Sequence, residues 1–274
     1  MSQQIKAPNS RGGSGFVWVV VAILAIAAVV IGLFVWKQST KNNIAEEMPQ
    51  QDVNFTVSAK DGAIELASDK LKKDAPTVEV FSDFSCPHCS DLVKADHEDM
   101  HKALTDGDVK VVFRFLNILD QKPGGSSTRG GAVAYAIAKT GNAKAFWNMH
   151  DKMYLDQAEV ARTWGWEELG KAAEAYDIDP GLVEKIKKGE VQNEDSSMFD
   201  KNSKILTDRG QQVSTPQVFA NGKAYELKPD GQGGIKSWVP DLVWNKDKTA
   251  QNKTAQDKTA QDKGEDKSKG TNTK

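Results

Sequence analysis

Apolar and polar positions alternate or cluster along the chain in a way that predicts most of its elements. Residues 16–36 form an unbroken run without a charge, and about 20 apolar residues are enough to span a bilayer. Phe55-Thr56-Val57 alternates weakly, and Ala63-Ile64-Glu65-Leu66 follows an Asp-Gly pair, so the two read as an edge hairpin. Thr77-Val78-Glu79-Val80-Phe81 and residues 109–116 are strong strands, with a helical pattern over about 86–104 between them. That order is a βαβ unit. Helical spacing then takes over at 127–139, 143–154, 166–176, 180–188 and 191–209, where Gly210 ends the series. Gln217-Val218-Phe219 returns to strand, and Asn221-Gly222 predicts a type I′ turn into Lys223-Ala224-Tyr225. A last helix is predicted over about 235–244.

The only two cysteines lie where the first strong strand hands over to its helix, in Phe84-Ser85-Cys86-Pro87-His88-Cys89. A thiol at that junction meets unpaired backbone N–H groups and the positive end of the helix dipole. A dipole interaction of up to roughly 2 kcal/mol lowers a thiol pKa by about 1.5 units. His88, when protonated, adds to this. Cys86 is therefore expected to be largely ionised at neutral pH, and Cys89, one turn on, can close a ring with it. A four-ligand zinc site would need two more Cys or His at close spacing, and there is no second cysteine pair. A purely structural disulfide across so short a loop would stabilise little. The redox reading is the one that remains. His97-Glu98-Asp99-Met100-His101 matches H-E-x-x-H, but no further His follows until His150. The motif reads as a solvated helix face, and no metal is expected.

Charge divides the chain. Its net charge is −2, with +2 in residues 1–36 and +3 in 245–274, which leaves −7 between them. An acidic domain without a basic patch argues against nucleic acid as a partner. The apolar run exceeds the roughly 7–15 residues of a cleaved signal peptide, and Lys37-Gln38-Ser39-Thr40 offers no Ala-x-Ala-like site. Trp18 and Trp36 sit near its ends, as interfacial aromatics do. Residues 1–15 therefore read as a cytoplasmic lead, 16–36 as a single-pass membrane anchor and 37–52 as a linker. The main domain follows over 53–246. The repeats of Lys-Thr-Ala-Gln within 247–274 lack apolar anchors and read as disordered. Lys6 and Arg11 before the run balance Lys37 and Lys41 after it, so charge bias does not orient it. An oxidised C-x-x-C persists best away from the reducing cytosol, which places the domain outside the cell membrane.

Four segments carry a family resemblance. They are Phe81-Ser82-Asp83-Phe84-Ser85-Cys86-Pro87-His88-Cys89; Phe146-Trp147-Asn148-Met149-His150-Asp151; Ser214-Thr215-Pro216-Gln217-Val218-Phe219-Ala220-Asn221-Gly222; and the final short helix. Over about residues 50–244 the chain resembles the DsbA family of thiol:disulfide oxidoreductases. With its anchor and tail it is most similar to the membrane-anchored actinobacterial branch. The resemblance implies an α/β, thioredoxin-like fold with a helical insertion over about 126–209, behind an N-terminal transmembrane helix. It implies Cys86 as the exposed attacking and leaving sulfur, with Pro87 and His88 tuning it and His88 stabilising its thiolate. Cys89 would be the buried resolving thiol. Thr215 and Pro216 would face the pair and bind substrate backbone across a cis bond, where the sequence alone would make a trans turn the default. The carboxylate that many thioredoxin-like proteins place six residues ahead of the first cysteine is Val80 here. Glu79 and Asp83 either relay protons to Cys89 or are solvated strand-end carboxylates. The implied activity is disulfide donation to exported proteins with reduced cysteines. A quinone-linked membrane protein of DsbB or VKOR type would reoxidise the pair, and no cofactor is implied. A reductase or isomerase on the same scaffold, or a tethered binding module without redox turnover, are the alternatives.

Overall fold

The computed structural model describes residues 14–42 and 44–245; the predicted tail and most of the predicted lead lie outside the described residues. The chain divides into two units, 1–47 and 48–274. In the first, α1 (Ser14–Asn42) is followed by a 3-10 turn, Ile44–Glu47. The described side chains of α1 are those of residues 18–33, and all are exposed. That stretch is about 24 Å long at 1.5 Å per residue, against about 30 Å for a hydrocarbon core. Among the described residues, no helix is long and apolar enough to cross a membrane.

The second unit is built on six strands: β1 (Thr56–Lys60), β2 (Ala63–Ala67), β3 (Thr77–Ser82), β4 (Lys110–Phe115), β5 (Gln217–Ala220) and β6 (Lys223–Tyr225). They pair in the order β1-β2-β4-β3-β5-β6. Only β3 and β4 run parallel, with Val80 opposite Phe113. Between them runs α2 (Pro87–Thr105). The two predicted hairpin turns are present. Asp61 and Gly62 have φ of 52° and 81°, and Asn221 and Gly222 have 49° and 77°, as a turn with two left-handed residues requires.

Seven helices separate β4 from β5: α3 (Ser126–Lys139), α4 (Ala143–Leu155), α5 (Gln157–Thr163), α6 (Trp166–Ala173), α7 (Pro180–Lys187), α8 (Val191–Glu194) and α9 (Ser197–Asp208). The fold is α/β and thioredoxin-like, with this helical insertion. The single helix expected over 191–209 is instead two. Asp195 leaves helical geometry at φ −135° and pairs with Lys139 at 2.8 Å. Asp and Ser compete with the backbone for hydrogen bonds and break the run there. α9 also belongs with the sheet, because its Leu206 packs with Phe81, Leu116 and Phe219. The last predicted helix shrinks to a π-helical turn, Pro240–Trp244. Ile235 forms a bridge to Pro229 instead, and Pro240 supplies no N–H to extend a helix backwards.

Strand β3 is buried on both faces, and its alternation assigns each residue to one of them. Glu79 and Phe81 face α9. Ser82 faces α4, where its Oγ lies 2.6 Å from Tyr154 Oη. The sequence reads as linker up to residue 52, yet the segment before β1 lies against the insertion from residue 49. Trp147 Nε1–H donates to Gln51 Oε1 at 2.8 Å, and Asn148 exchanges two hydrogen bonds with the Gln51 backbone at 2.9 and 2.8 Å. Tyr176 O–H donates to the Pro49 carbonyl at 2.9 Å.

Candidate active site

Cys86 is the N-cap of α2, with φ −81° and ψ 115°, and Pro87 opens the helix. Proline suits that place because the first helical N–H groups have no partner within the helix. The loop entering the helix is tied by Asp83. The Cys86 N–H donates to the Asp83 carbonyl at 2.9 Å, and the N–H groups of Ser85 and Leu119 donate to its carboxylate at 2.8 and 3.2 Å. Three hydroxyls meet beside this loop: Ser85 Oγ is 2.6 Å from Ser126 Oγ and accepts from Ser127 Oγ at 2.8 Å. Gln157 of α5 donates to the Cys86 carbonyl at 2.9 Å.

Both cysteines are free thiols. Cys86 is lowered to about 6, first by the Cys89 S–H donating to it, against an opposing effect of burial. The Thr215 side chain and the backbone N–H groups of Cys89 and His88 add to the lowering. Burial, first of all, pushes Cys89 well above the ordinary thiol range. The pair therefore holds one anion, on the sulfur nearer the surface. Cys86 Sγ lies 3.5 Å from the Thr215 carbonyl oxygen, and the Thr215–Pro216 bond is cis. An open groove beside this loop is lined by Gln211, Pro216, Phe219, Tyr225 and Leu227. A second opens between the head of α2 and α5, lined by Pro87, Asp91, Lys94, Ala158 and Arg162.

Four expectations change. Cys86 is not openly exposed; only 5% of its surface is accessible, because the Thr215 loop covers it. The His88 imidazole is 71% exposed and lies 3.6 Å from Asp91, so its backbone N–H, not its ring, supports Cys86. Glu79 is not placed to relay protons to Cys89, because it lies on the opposite face of β3. There it is clasped by Arg114 at 2.7 Å and Arg209 at 2.8 Å. Asp83 is fully buried rather than solvated. Burial pushes its carboxyl up against the donors that favour the anion, and its contact with Cys89 is a backbone N–H. The H-E-x-x-H pair also divides. His97 faces Asp151 at 3.6 Å, while His101 lies 3.0 Å from the Asp52 carbonyl. Among the described residues, no three His, Cys, Asp or Glu side chains are grouped to hold a metal ion.

Tyr154, Gln157 and Ser126 had no sequence signal, since each reaches the site from a different element, whereas Ser82 ends the strand that leads to Cys86. Asp96 had a signal. It falls seven residues after Cys89 on the buried side of α2, and burial pushes its carboxyl well above the carboxylate range. Gly130 of α3 also approaches the loop: an added Cβ would sit 2.6 Å from Phe84 Cγ. Gly130→Ala should thus destabilise the protein by about 1–3 kcal/mol through overpacking, read as a lower urea midpoint. An unchanged midpoint would show that Phe84 can yield.

A low-pKa thiol exchanging with a buried second thiol, at the head of a helix on this sheet, is the chemistry of a thiol–disulfide oxidoreductase. The family model described as Thioredoxin matches residues 72–239. The MdbA thiol-disulfide oxidoreductase from Corynebacterium matruchotii is 34% identical, with 69% of this chain and 94% of that chain covered and a TM-score of 0.64. The MdbA protein of Corynebacterium diphtheriae is 34% identical over 68% of this chain and 94% of that one, also at a TM-score of 0.64. Disulfide bond formation protein D of Bacillus subtilis is 26% identical over 56% of this chain, and the chain spans just under two thirds, 66%, of that relative. The chain belongs to the thioredoxin family, as a DsbA-like thiol–disulfide oxidoreductase.

Proposed function

We propose that the protein donates the Cys86–Cys89 disulfide to reduced cysteines of exported proteins, outside the cell membrane, and is held there by residues 16–36. The observation that carries this reading is the unequal pair of thiols. A thiolate near pKa 6 on Cys86 stabilises the reduced form, and a dithiol stabilised when reduced is an oxidant as a disulfide. A client thiolate attacks Cys86, Cys89 leaves, and a second client thiol resolves the mixed disulfide. Thr215 and Pro216, beside Cys86, hold client backbone, and Pro87 and His88 shape the helix head. A quinone-linked membrane protein of DsbB or VKOR type returns the pair to the disulfide. Membrane attachment rests on the uncharged run itself, and it predicts that the full chain resists carbonate extraction while a chain starting at residue 48 is released.

Equilibration against a glutathione buffer tests the direction. The expected potential is well above the roughly −270 mV of thioredoxin, and a value near that figure would instead make the protein a reductase. Above pH 6 only one proton accompanies the two electrons, so the potential should fall by about 30 mV per pH unit there and by about 60 mV below. A slope of about 60 mV throughout pH 5–8 would mean that Cys86 is an ordinary thiol.

A further inference from the structure

Tyr154 is part of the insertion, yet its contacts converge on the segment around the thiols. Its Oη is 2.6 Å from Ser82 Oγ, its ring stacks on Phe84 at 4.5 Å and 24°, and its carbonyl accepts from Ser90 Oγ at 2.7 Å. Tyr154 is wholly enclosed and Ser82 is 2% exposed. Burial keeps the Tyr154 phenol protonated, so it can donate. A hydrogen bond from the Ser82 side chain favours the Cys89 anion. Two linked hydroxyls thus end at the sulfur that must leave when the disulfide opens, and water does not reach it, since Cys89 is 1% exposed.

We propose that Ser82 is a catalytic hydrogen-bond donor to the departing Cys89 sulfur, and that Tyr154 is the positioning residue that aims and polarises it. The inference rests on the reading that the disulfide form acts on client thiols. In that step a client thiolate bonds to Cys86 Sγ, and the Cys86–Cys89 bond breaks. The electron pair of the broken bond stays on Cys89 Sγ, and no proton is transferred. The Ser82 O–H donates to that sulfur while its oxygen accepts from the Tyr154 O–H. A buried anion without a donor is costly, and donors in series strengthen one another. The insertion therefore takes part in the chemistry through a single oxygen.

The test is the rate at which the disulfide form of the full chain is opened by dithiothreitol, with Cys89 titrated separately in a Cys86→Ala background. Ser82→Ala and Tyr154→Phe should each slow opening about tenfold, equivalent to about 1.4 kcal/mol. The double variant should be no slower than Ser82→Ala, and Ser82→Thr should restore the rate. The Cys89 pKa should rise by at least about half a unit in either variant. Rates within about twofold of the parent overturn the proposal, as does slowing without any shift in Cys89. If Ser82→Ala does not fold, Tyr154→Phe decides alone, because it removes one oxygen and keeps the stacked ring. A parent disulfide that fails to oxidise dithiothreitol refutes disulfide donation itself; a reactive parent with equally reactive variants refutes only the role of the hydroxyls.

Discussion

Cys86→Ala should abolish disulfide transfer, and Cys89→Ala should leave a protein that captures client chains and releases them slowly. A thiol at about 6 is roughly nine-tenths ionised at pH 7, against about one part in a hundred for one at 9.0. The thiolate is the reactive form, so ionisation alone gives about a ninetyfold advantage, and Ala removes the sulfur altogether. The Cys89 variant carries a second consequence. The largest support for the Cys86 anion is the Cys89 S–H, so in Cys89→Ala the Cys86 pKa should climb back towards the ordinary thiol range. Iodoacetamide alkylation against pH reads that change, and non-reducing gels read the trapped mixed disulfides. Turnover above background in Cys86→Ala would remove the assignment of that sulfur, and an unmoved alkylation profile would remove the coupling between the two.

Reduced protein should gain stability as the pH rises from 6 to 9, relative to the disulfide form. In that window the unfolded thiol at 9.0 still holds its proton while folded Cys86, near 6, has released it. The Cys86 contribution to stability therefore rises with pH, is complete above 9, and is lost as the pH falls through 6. Three pKa units amount to about 4 kcal/mol at full value and about half that once water screens the mouth of the site. At pH 7 the share is only about 1 kcal/mol. Urea titrations of both redox forms at pH 5, 7 and 9 measure it. Parallel pH dependences in the two forms would mean that the thiolate is not stabilised by folding.

What the sequence made legible was local. The strand–cysteine–helix junction, the Asp61-Gly62 and Asn221-Gly222 turns and the helices over 143–154 and 180–188 follow from neighbours in the chain, and they are found within a residue or so. What it hid was set by distant partners. Glu79 reads as close to Cys86 in sequence, but strand alternation and two arginines, Arg114 and Arg209, carry it to the other face. The His88 ring reads as a partner of Cys86, yet the helix turns it outward to Asp91. Tyr154 follows Cys86 by 68 positions, and nothing in its own segment marks it. Breaks at Asp195 and before Pro240 were written in residue types with weak helical preference, but apolar spacing across them masked the signal.

The strap over residues 48–55 fixes where an independently folding domain can begin. Starting a truncated chain at β1, the first strand of the sheet, would strip Asn148 of both of its Gln51 backbone partners and Trp147 Nε1 of its acceptor. Asn148 is 1% exposed, and each stranded buried polar group costs about 1–3 kcal/mol. Such a fragment would keep every cysteine and every strand and still lose much of its margin against unfolding, with the damage starting in α4, the helix that carries Tyr154. Proteases that nick the chain just before its first strand would have the same effect, so cleavage there could silence the thiols from a distance.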